Sequence, residues 1–315
     1  MKSDKKLIFV CNLMLLCAAL IWGCNFVFQK NASEIIGPFT YMAVRYGLGA
    51  TVMLPFVMFL EKQKPLEDRV KYDKKSALSL LKIAAIMATV QMGSSVLGQW
   101  GIGFTNASKA AFLTATYIVI VPILSYIIFR KKTNLFTWVG VFIGLFGIYN
   151  LSVTGDFNMN LGDILVIISA AFGAMHLLLI SKYVQKVNGM HLICTEFYCA
   201  AIYCTIVALI LEHPTWEILW ACKIPLLYGS LLGTGLCYML QVTAQKHTDP
   251  TVAALLMSLE SLFGALAGVL ILGESFSTQE IIGAVFLSAA IIIAQFKPRE
   301  RVVVKVKYRN PSERQ

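Results

Sequence analysis

The sequence predicts an all-α, polytopic membrane protein whose ten transmembrane helices form two inverted five-helix repeats around a central cavity. Three observations lead there. Hydrophobic residues make up 57% of the 315-residue chain and charged residues only 14%, against roughly 25% charged in a soluble domain. Apolar runs of the length a helix needs to cross the hydrocarbon core, about 20 residues, recur along the chain. Finally, Thr105-Asn106-Ala107-Ser108-Lys109-Ala110-Ala111-Phe112-Leu113 reads as a copy of Thr248-Asp249-Pro250-Thr251-Val252-Ala253-Ala254-Leu255-Leu256, 143 residues later. The same offset sets Gly140 on Gly283 and Phe142 on Val285.

The spans follow in order. Polar groups inside a bilayer are costly unless they face protein or water, so helical spacing of the polar residues identifies each inward face. Span 8–28 carries Trp22, Asn25 and Gln29 at steps of three and four. Span 39–60 holds Arg45 about six residues in, where it can snorkel outward, bond carbonyls of a neighbouring helix or meet an anionic ligand. Span 77–98 carries Gln91, Ser94 or Ser95, and Gly98, with Gln99 beside them; its Lys82 should snorkel. Span 108–129 presents Ala110, Thr114 and Tyr117. Span 135–152 holds Gly140-x-x-x-Gly144, which permits a close helix contact within one chain or between two.

The second set begins with span 161–181, which carries Ser169, Gly173 and His176. Its Phe172-Gly173 corresponds to Trp22-Gly23 at an offset of 150. Span 192–211 holds Glu196 about four residues in, close enough to reach the inner interface. Span 223–244 carries Thr234, Tyr238, Gln241 and, just beyond it, Gln245 on one face. Span 251–272 carries Ala253, Met257, Glu260, Gly264 and Gly268, and Ile282-Gly283 opens span 278–296.

Five is an odd number, so a second set of five starts on the opposite side of the membrane and the halves are antiparallel. The repeats are 1–152 and 161–296, followed by a tail at 297–315. Lys and Arg set the orientation: 22 of the 27 fall in segments that lie inside if the N-terminus is cytoplasmic. Both termini are then cytoplasmic and the first span is an uncleaved anchor of a multi-pass protein in the cell membrane. This distribution accounts for the formal charge of +10, so no nucleic-acid partner is implied. The tail, basic with interleaved valines, reads as a solvated stop-transfer segment or as a contact with anionic lipid.

The polar faces outline one cavity, with Trp22, Asn25, Gln91, Ser95, Thr114, Tyr117, His176, Tyr238, Gln241 and Glu260 as candidate substrate-binding residues. Interhelical hydrogen bonding and small-residue packing are the competing account of each stripe. Glu260, nine residues into its span, sits about 14 Å along the axis at 1.5 Å per residue. A carboxylate near the bilayer centre is protonated, paired or wet, so Glu260 is a candidate for binding a cation or coupling to protons. His176 is the second proton-coupling candidate because imidazole titrates near neutral pH; a hydrogen-bonded packing role is the alternative. None of the eight cysteines forms a C-x-x-C pair, and seven fall in spans, so neither disulfide nor metal is expected. No Gly-rich phosphate loop with Lys and no His-Glu-x-x-His occurs, so no ATP site, cofactor or catalytic cluster is encoded.

The chain resembles the ten-helix, EamA-type group of the drug/metabolite transporter superfamily. The matching residues are Trp22-Gly23-Cys24-Asn25-Phe26-Val27 with Lys30, Arg45-Tyr46, Ala110-Ala111-Phe112-Leu113 with Pro122, and Arg130-Lys131-Lys132. Leu259-Glu260, Leu272-Gly273-Glu274 and Ile282-Gly283 complete the set, in order over nearly the whole chain. The resemblance implies export of amino acids, related metabolites or other small organic compounds, with Glu274 a structural residue. It also places Pro where this chain has Ser261, which implies a straighter ninth span. The expected activity is secondary transport of a small polar or amphipathic metabolite by alternating access. Uptake or exchange of another solute is the runner-up; a phosphorylated one would want several Lys or Arg on the cavity faces, and the stripes carry none. A flippase for a lipid-linked substrate, with a cleft open sideways, is the remaining alternative.

Overall fold

The computed structural model describes residues 2–63, 65, 72–130, 135–152, 159–248, 250–275 and 277–295. The tail 297–315 and the basic residues Lys64, Arg69, Lys71, Lys131 and Lys132 lie outside the described residues. Every element among the described residues is helical. The first half contains α1 (Lys2–Ser33), α2 (Pro38–Gln63), α3 (Lys74–Gly103), α4 (Ala107–Thr114), α5 (Tyr117–Phe129) and α6 (Leu135–Ser152). The second contains α7 (Leu161–Tyr183), α8 (Gly189–Leu211), the short α9 (Trp216–Ala221) and α10 (Lys223–Leu227), a π-helical stretch (Tyr228–Leu236), α11 (Cys237–Gln245), α12 (Pro250–Met257), α13 (Glu260–Leu272) and α14 (Thr278–Gln295).

Helices satisfy their own backbone groups, which is the condition for crossing lipid. Among the described residues, seven helical stretches of 22–30 residues are long and apolar enough to do so, and shorter apolar helices occupy 138–147, 260–272 and 281–290. Large apolar side chains point outward, with Leu270 81% exposed and Ile127 65%. A water-soluble fold would bury them.

Several helix starts are closed by side chains, because the first N–H groups of a helix lack partners. Asp73 accepts from Ser76 N at 3.1 Å, and Asn160 and Asp163 form a reciprocal capping box on α7. The Asn188 side chain caps α8. Two caps come from distant helix ends. Glu212 accepts from Phe39 N (2.9 Å) and Thr40 N (2.7 Å) at the start of α2. Glu274 accepts from Ala107 N (2.9 Å), Ser108 N (3.0 Å) and the Ser108 hydroxyl at the start of α4, which agrees with the structural role expected for it. Lys109 is tied to the buried Asp163 at 2.8 Å.

The 143-residue offset recurs in the helix boundaries. It carries α4 onto α12, α5 onto α13 and α6 onto α14 residue for residue. It also carries the left-handed Arg130 (φ 51°) that ends α5 onto the left-handed Gly273 (φ 67°) that ends α13. Packing follows the same rule. The pairs α2–α8 and α6–α14 link equivalent helices, and α4–α13 has its counterpart in α12–α5; α1 packs on α13 and α12 as α7 packs on α5 and α4; α3 packs on α7 as α1 packs on α11. The Gly140-x-x-x-Gly144 segment therefore belongs to a helix packed within the chain, along α14.

Two corresponding interruptions stand out. The helix breaks at Ala115-Thr116 between α4 and α5, and at Ser258-Leu259 between α12 and α13. Freed carbonyls are taken up locally: the Thr116 hydroxyl donates to Leu113 O (2.6 Å) and the Ser261 hydroxyl to Ser258 O (2.8 Å). This corrects the straight ninth span implied by Ser261 in place of Pro. The backbone tightens into a three-residue turn without proline, and the Ser261 side chain closes it.

Candidate functional site

A cavity of about 160 Å³ lies where α1, α2, α3, α4, α5, α7, α11, α12 and α13 converge. All ten residues selected from the sequence line it: Trp22, Asn25, Gln91, Ser95, Thr114, Tyr117, His176, Tyr238, Gln241 and Glu260. The two breaks explain the placement of three of them. Thr114 ends α4, Tyr117 opens α5 and Glu260 opens α13, so each sits at an interruption rather than inside a continuous helix. Tyr117 and Glu260 are equivalent under the 143-residue offset and face one another.

Backbones come close beside Glu260. A Cβ on Gly23 would meet Glu260 O and Gly264 N at 2.8 Å, and one on Gly264 would meet Ala111 Cβ at 2.6 Å. Gly264 and Gly268 are thus packing positions, not cavity lining, and Ala253 sits in the apolar core. Thr234 and Gln245 also leave the cavity face: Thr234 accepts from Arg45, and Gln245 donates to the Ser181 hydroxyl at 3.1 Å.

The walls are fixed by side-chain bonds. Gln91 Nε2 lies within hydrogen-bonding distance of three hydroxyls, those of Tyr238 (2.7 Å), Ser95 (2.9 Å) and Tyr46 (3.1 Å). Tyr238 sits edge-on to Trp22 (5.1 Å between centroids) and to Phe197 (4.7 Å). Trp22 Nε1 donates to Gly233 O at 2.6 Å. That carbonyl belongs to the π-helical stretch, whose wider turn misaligns backbone pairing and leaves acceptors for side chains; such turns recur at functional sites.

Other groups are left without partners. Asn25 Oδ1, Gln99 Oε1 and Gln241 Oε1 are buried acceptors with no hydrogen bond among the described residues, although all three side chains line the cavity. A buried polar atom without a partner costs about 1–3 kcal/mol. Three around one hollow describe a surface suited to a hydrogen-bond donor.

Two placements correct the sequence reading. Arg45 does not snorkel: it is buried, lines the cavity and donates from Nε to Thr234 Oγ1 at 3.0 Å. Glycines on the π-helical stretch make room for it, with a Cβ on Gly233 3.2 Å from its Nη2. One cation therefore lines a cavity whose stripes carried none. Glu196 does not reach an interface either; it is fully buried and pairs with His176 Nε2 at 2.6 Å. His176 is accordingly one member of a pair rather than a lone imidazole. The Gly229 and Gly233 spacing opposite Arg45 was the available signal for the first correction; nothing in the sequence pointed to the Glu196 pairing.

The charges are arranged unevenly. Among the described residues Arg45 has no carboxylate within ion-pair distance, and Glu260 has no cation. Both line the same cavity.

Comparison with known proteins assigns this architecture. The model of the EamA-like transporter family matches twice, over residues 9–153 and 160–295. An uncharacterized transporter of Archaeoglobus fulgidus is 29% identical over 286 residues, covering 91% of this chain and 86% of that protein. The uncharacterized transporter YoaV of Bacillus subtilis is 22% identical, covering 90% of this chain and 96% of its own length. A solved crystal structure shares the fold, with a TM-score of 0.67 at 12% identity over 90% of this chain and 95% of that one. Matched in both halves, the chain is a multi-pass membrane transporter, not an enzyme, and belongs to the EamA-like transporter family.

Proposed function

We propose that the chain is a secondary carrier that moves a small zwitterionic metabolite of the amino-acid type outward across the cell membrane by alternating access. The observation that carries this reading is the pair of opposite charges on one cavity, Arg45 and Glu260, neither of which has an ionic partner among the described residues. A guanidinium matches a carboxylate in a two-pronged bond, and Glu260 offers a carboxylate to an ammonium group. Each charge alone is costly to hold out of water, and a zwitterion would neutralise both at once. The acceptor oxygens of Asn25, Gln99 and Gln241 suit the remaining ammonium hydrogens. The aromatic rings of Trp22 and Tyr238 and the polar Gln91, Ser95, Thr114, Tyr117 and His176 would shape the rest of the site. Glu260 and His176 are the candidates for proton coupling.

The same reading takes the chain as ten spans in two inverted repeats, 1–152 and 161–296, with both termini in the cytoplasm. Interrupted helices at corresponding positions of two halves are where such carriers hold their substrate, and the breaks at 115–116 and 258–259 are such a pair. Exchange of conformation between antiparallel halves then exchanges inside for outside. A phosphorylated solute is disfavoured because Arg45 is the one Lys or Arg among the described cavity residues.

The test is reconstitution of the full chain into liposomes with a panel of radiolabelled amino acids. Flux of a zwitterionic member is expected. Removing one partner of a buried charge pair costs about 2–5 kcal/mol, so Arg45→Gln and Glu260→Gln should each weaken binding by roughly 30-fold or more. Flux of no panel member, or wild-type affinity in both variants, contradicts the reading.

A further inference from the structure

The carrier reading leaves one buried ionisable group without a task. Glu196 is 0% exposed on α8 and does not line the central cavity, yet it holds the imidazole that does, His176. His176 Nε2 meets Glu196 Oε1 at 2.6 Å, while Glu196 Oε2 has no partner among the described residues. The pair joins two helices at one depth. His176 lies seven residues before the end of α7 and Glu196 seven residues after the start of α8, about 10 Å from the loop that joins them at 1.5 Å per residue.

We propose that His176 and Glu196 form a proton-binding dyad, loaded from the substrate cavity through the imidazole. In the unloaded state Nε2–H donates to the Glu196 carboxylate, which fixes the tautomer and turns the Nδ1 lone pair away from Glu196. A proton arriving from cavity water binds at Nδ1 and gives an imidazolium–carboxylate pair; its departure to water restores the neutral ring. The dyad's net charge alternates between −1 and 0 with one proton bound or released, and no other reactant is needed. Glu196 is a positioning residue: it never meets the solute, but its charge makes the loaded state tolerable in a dry interior.

The surroundings are consistent with a site that handles a single proton. From α11, Tyr238 turns its ring edge to His176, with 6.1 Å between centroids, and its hydroxyl meets Gln91 of α3. From α2, Tyr46 and Arg45 act on the same Tyr238, and from α8 itself Cys199 lies within the field of Glu196. Tyr117 of α5 and Glu260 of α13 share the cavity. Arg45 is thus the one fixed positive charge among the described residues that line this cavity, and its Nε donates to Thr234.

This inference rests on the carrier reading, and its test separates the two. The full chain, labelled with ¹⁵N-histidine and held in lipid nanodiscs, gives ring signals from four histidines; His176→Gln identifies the one that matters. The His176 signal should switch between its singly and doubly protonated ring forms as pH is varied, and Glu196→Gln should displace the midpoint of that switch. In proteoliposomes with the amino-acid panel, Glu196→Gln should lower accumulation driven by a pH gradient at least tenfold more than it lowers counterflow. If Glu196→Gln does not fold, Glu196→Asp decides, since its shorter carboxylate must still shift the midpoint. A His176 signal that is flat as pH is varied, or a midpoint indifferent to both variants, overturns the dyad even if flux is robust. A titrating dyad in a protein that carries no panel member supports the proton site and overturns the solute class. Gradient-driven flux with the same pH dependence in wild type and Glu196→Gln overturns the dyad and leaves the carrier.

Discussion

Replacing Gly23 by alanine sets two opposing effects against each other, and the geometry decides between them. Alanine in a helix interior is favoured over glycine by about 1 kcal/mol, and burying a methyl adds roughly 0.8 kcal/mol. Against this, the new Cβ would stand 2.8 Å from Glu260 O and from Gly264 N and 2.5 Å from Phe263 Cβ. Two of those atoms are backbone and cannot rotate aside. The α1 and α13 axes must part by roughly 0.6 Å or more, and interiors packed like crystals resist this. Overpacking costs typically 1–3 kcal/mol; with backbone as the obstacle we take the upper end, so Gly23→Ala destabilises by about 1 kcal/mol net. Gly47 is the matched control. It also lies inside a helix, α2, but its Cβ would meet only Ala201 Cβ, at 3.8 Å. The propensity gain then stands unopposed, and Gly47→Ala should be neutral or stabilising by up to about 1 kcal/mol. Thermal unfolding in detergent, followed by a thiol-reactive fluorophore that reports exposure of the buried Cys11, Cys194, Cys204 and Cys237, separates them. At about 2–4 °C per kcal/mol, Gly23→Ala should melt a few degrees below wild type and Gly47→Ala at or above it. A Gly23→Ala protein as stable as Gly47→Ala would refute the proposed contact between α1 and α13.

Three further outcomes follow from single contacts. Glu274→Ala removes the cap shared by Ala107 N, Ser108 N and the Ser108 hydroxyl; a loss of about 2 kcal/mol is expected in the same melting assay, and an unchanged midpoint would deny the cap any weight. Thr234→Val keeps shape but strips Arg45 Nε of its acceptor; leaving that donor unmet costs about 1–3 kcal/mol, so substrate affinity should fall if Thr234 aims the guanidinium, and a variant with unaltered affinity shows that it does not. Asp73, held below the usual aspartate range by the Ser76 hydroxyl and backbone N–H, caps α3 in its charged form. Its contribution is complete above the ordinary pKa of about 3.9 and disappears as pH falls through the lower folded value. Amide exchange at Ser76 should therefore speed up in acid relative to neighbouring amides in wild type but not in Asp73→Ala, and identical profiles would dismiss the cap.

Much of this molecule was readable from its residues. Helical spacing alone selected all ten candidate lining residues, because lipid forces long polar side chains such as Gln91 and Gln241 toward protein or water whatever the helix order. The internal copy anticipated the helix limits of the second half, from α12 to α14. What escaped was pairing across helices. Glu196 looked shallow because its span was started at 192; α8 begins at Gly189, which carries the carboxylate almost a full turn deeper and level with His176. Arg45 looked able to snorkel because depth along a span says nothing of which helix it faces. Its place depends on the missing side chains of Gly229 and Gly233 on a helix nearly two hundred positions away. The breaks at Ala115-Thr116 and Ser258-Leu259 contain no proline or glycine, so neither residue type flagged them.

Alternating access requires a wet, polar hollow between the halves that opens to each side in turn. With the eight native cysteines replaced, a thiol at position 241 should react with a membrane-impermeant methanethiosulfonate reagent in proteoliposomes. We predict labelling from either face, slowed by a transported amino acid. A Gln241→Cys protein that is folded yet inert to reagent from both sides, with and without solute, would contradict it.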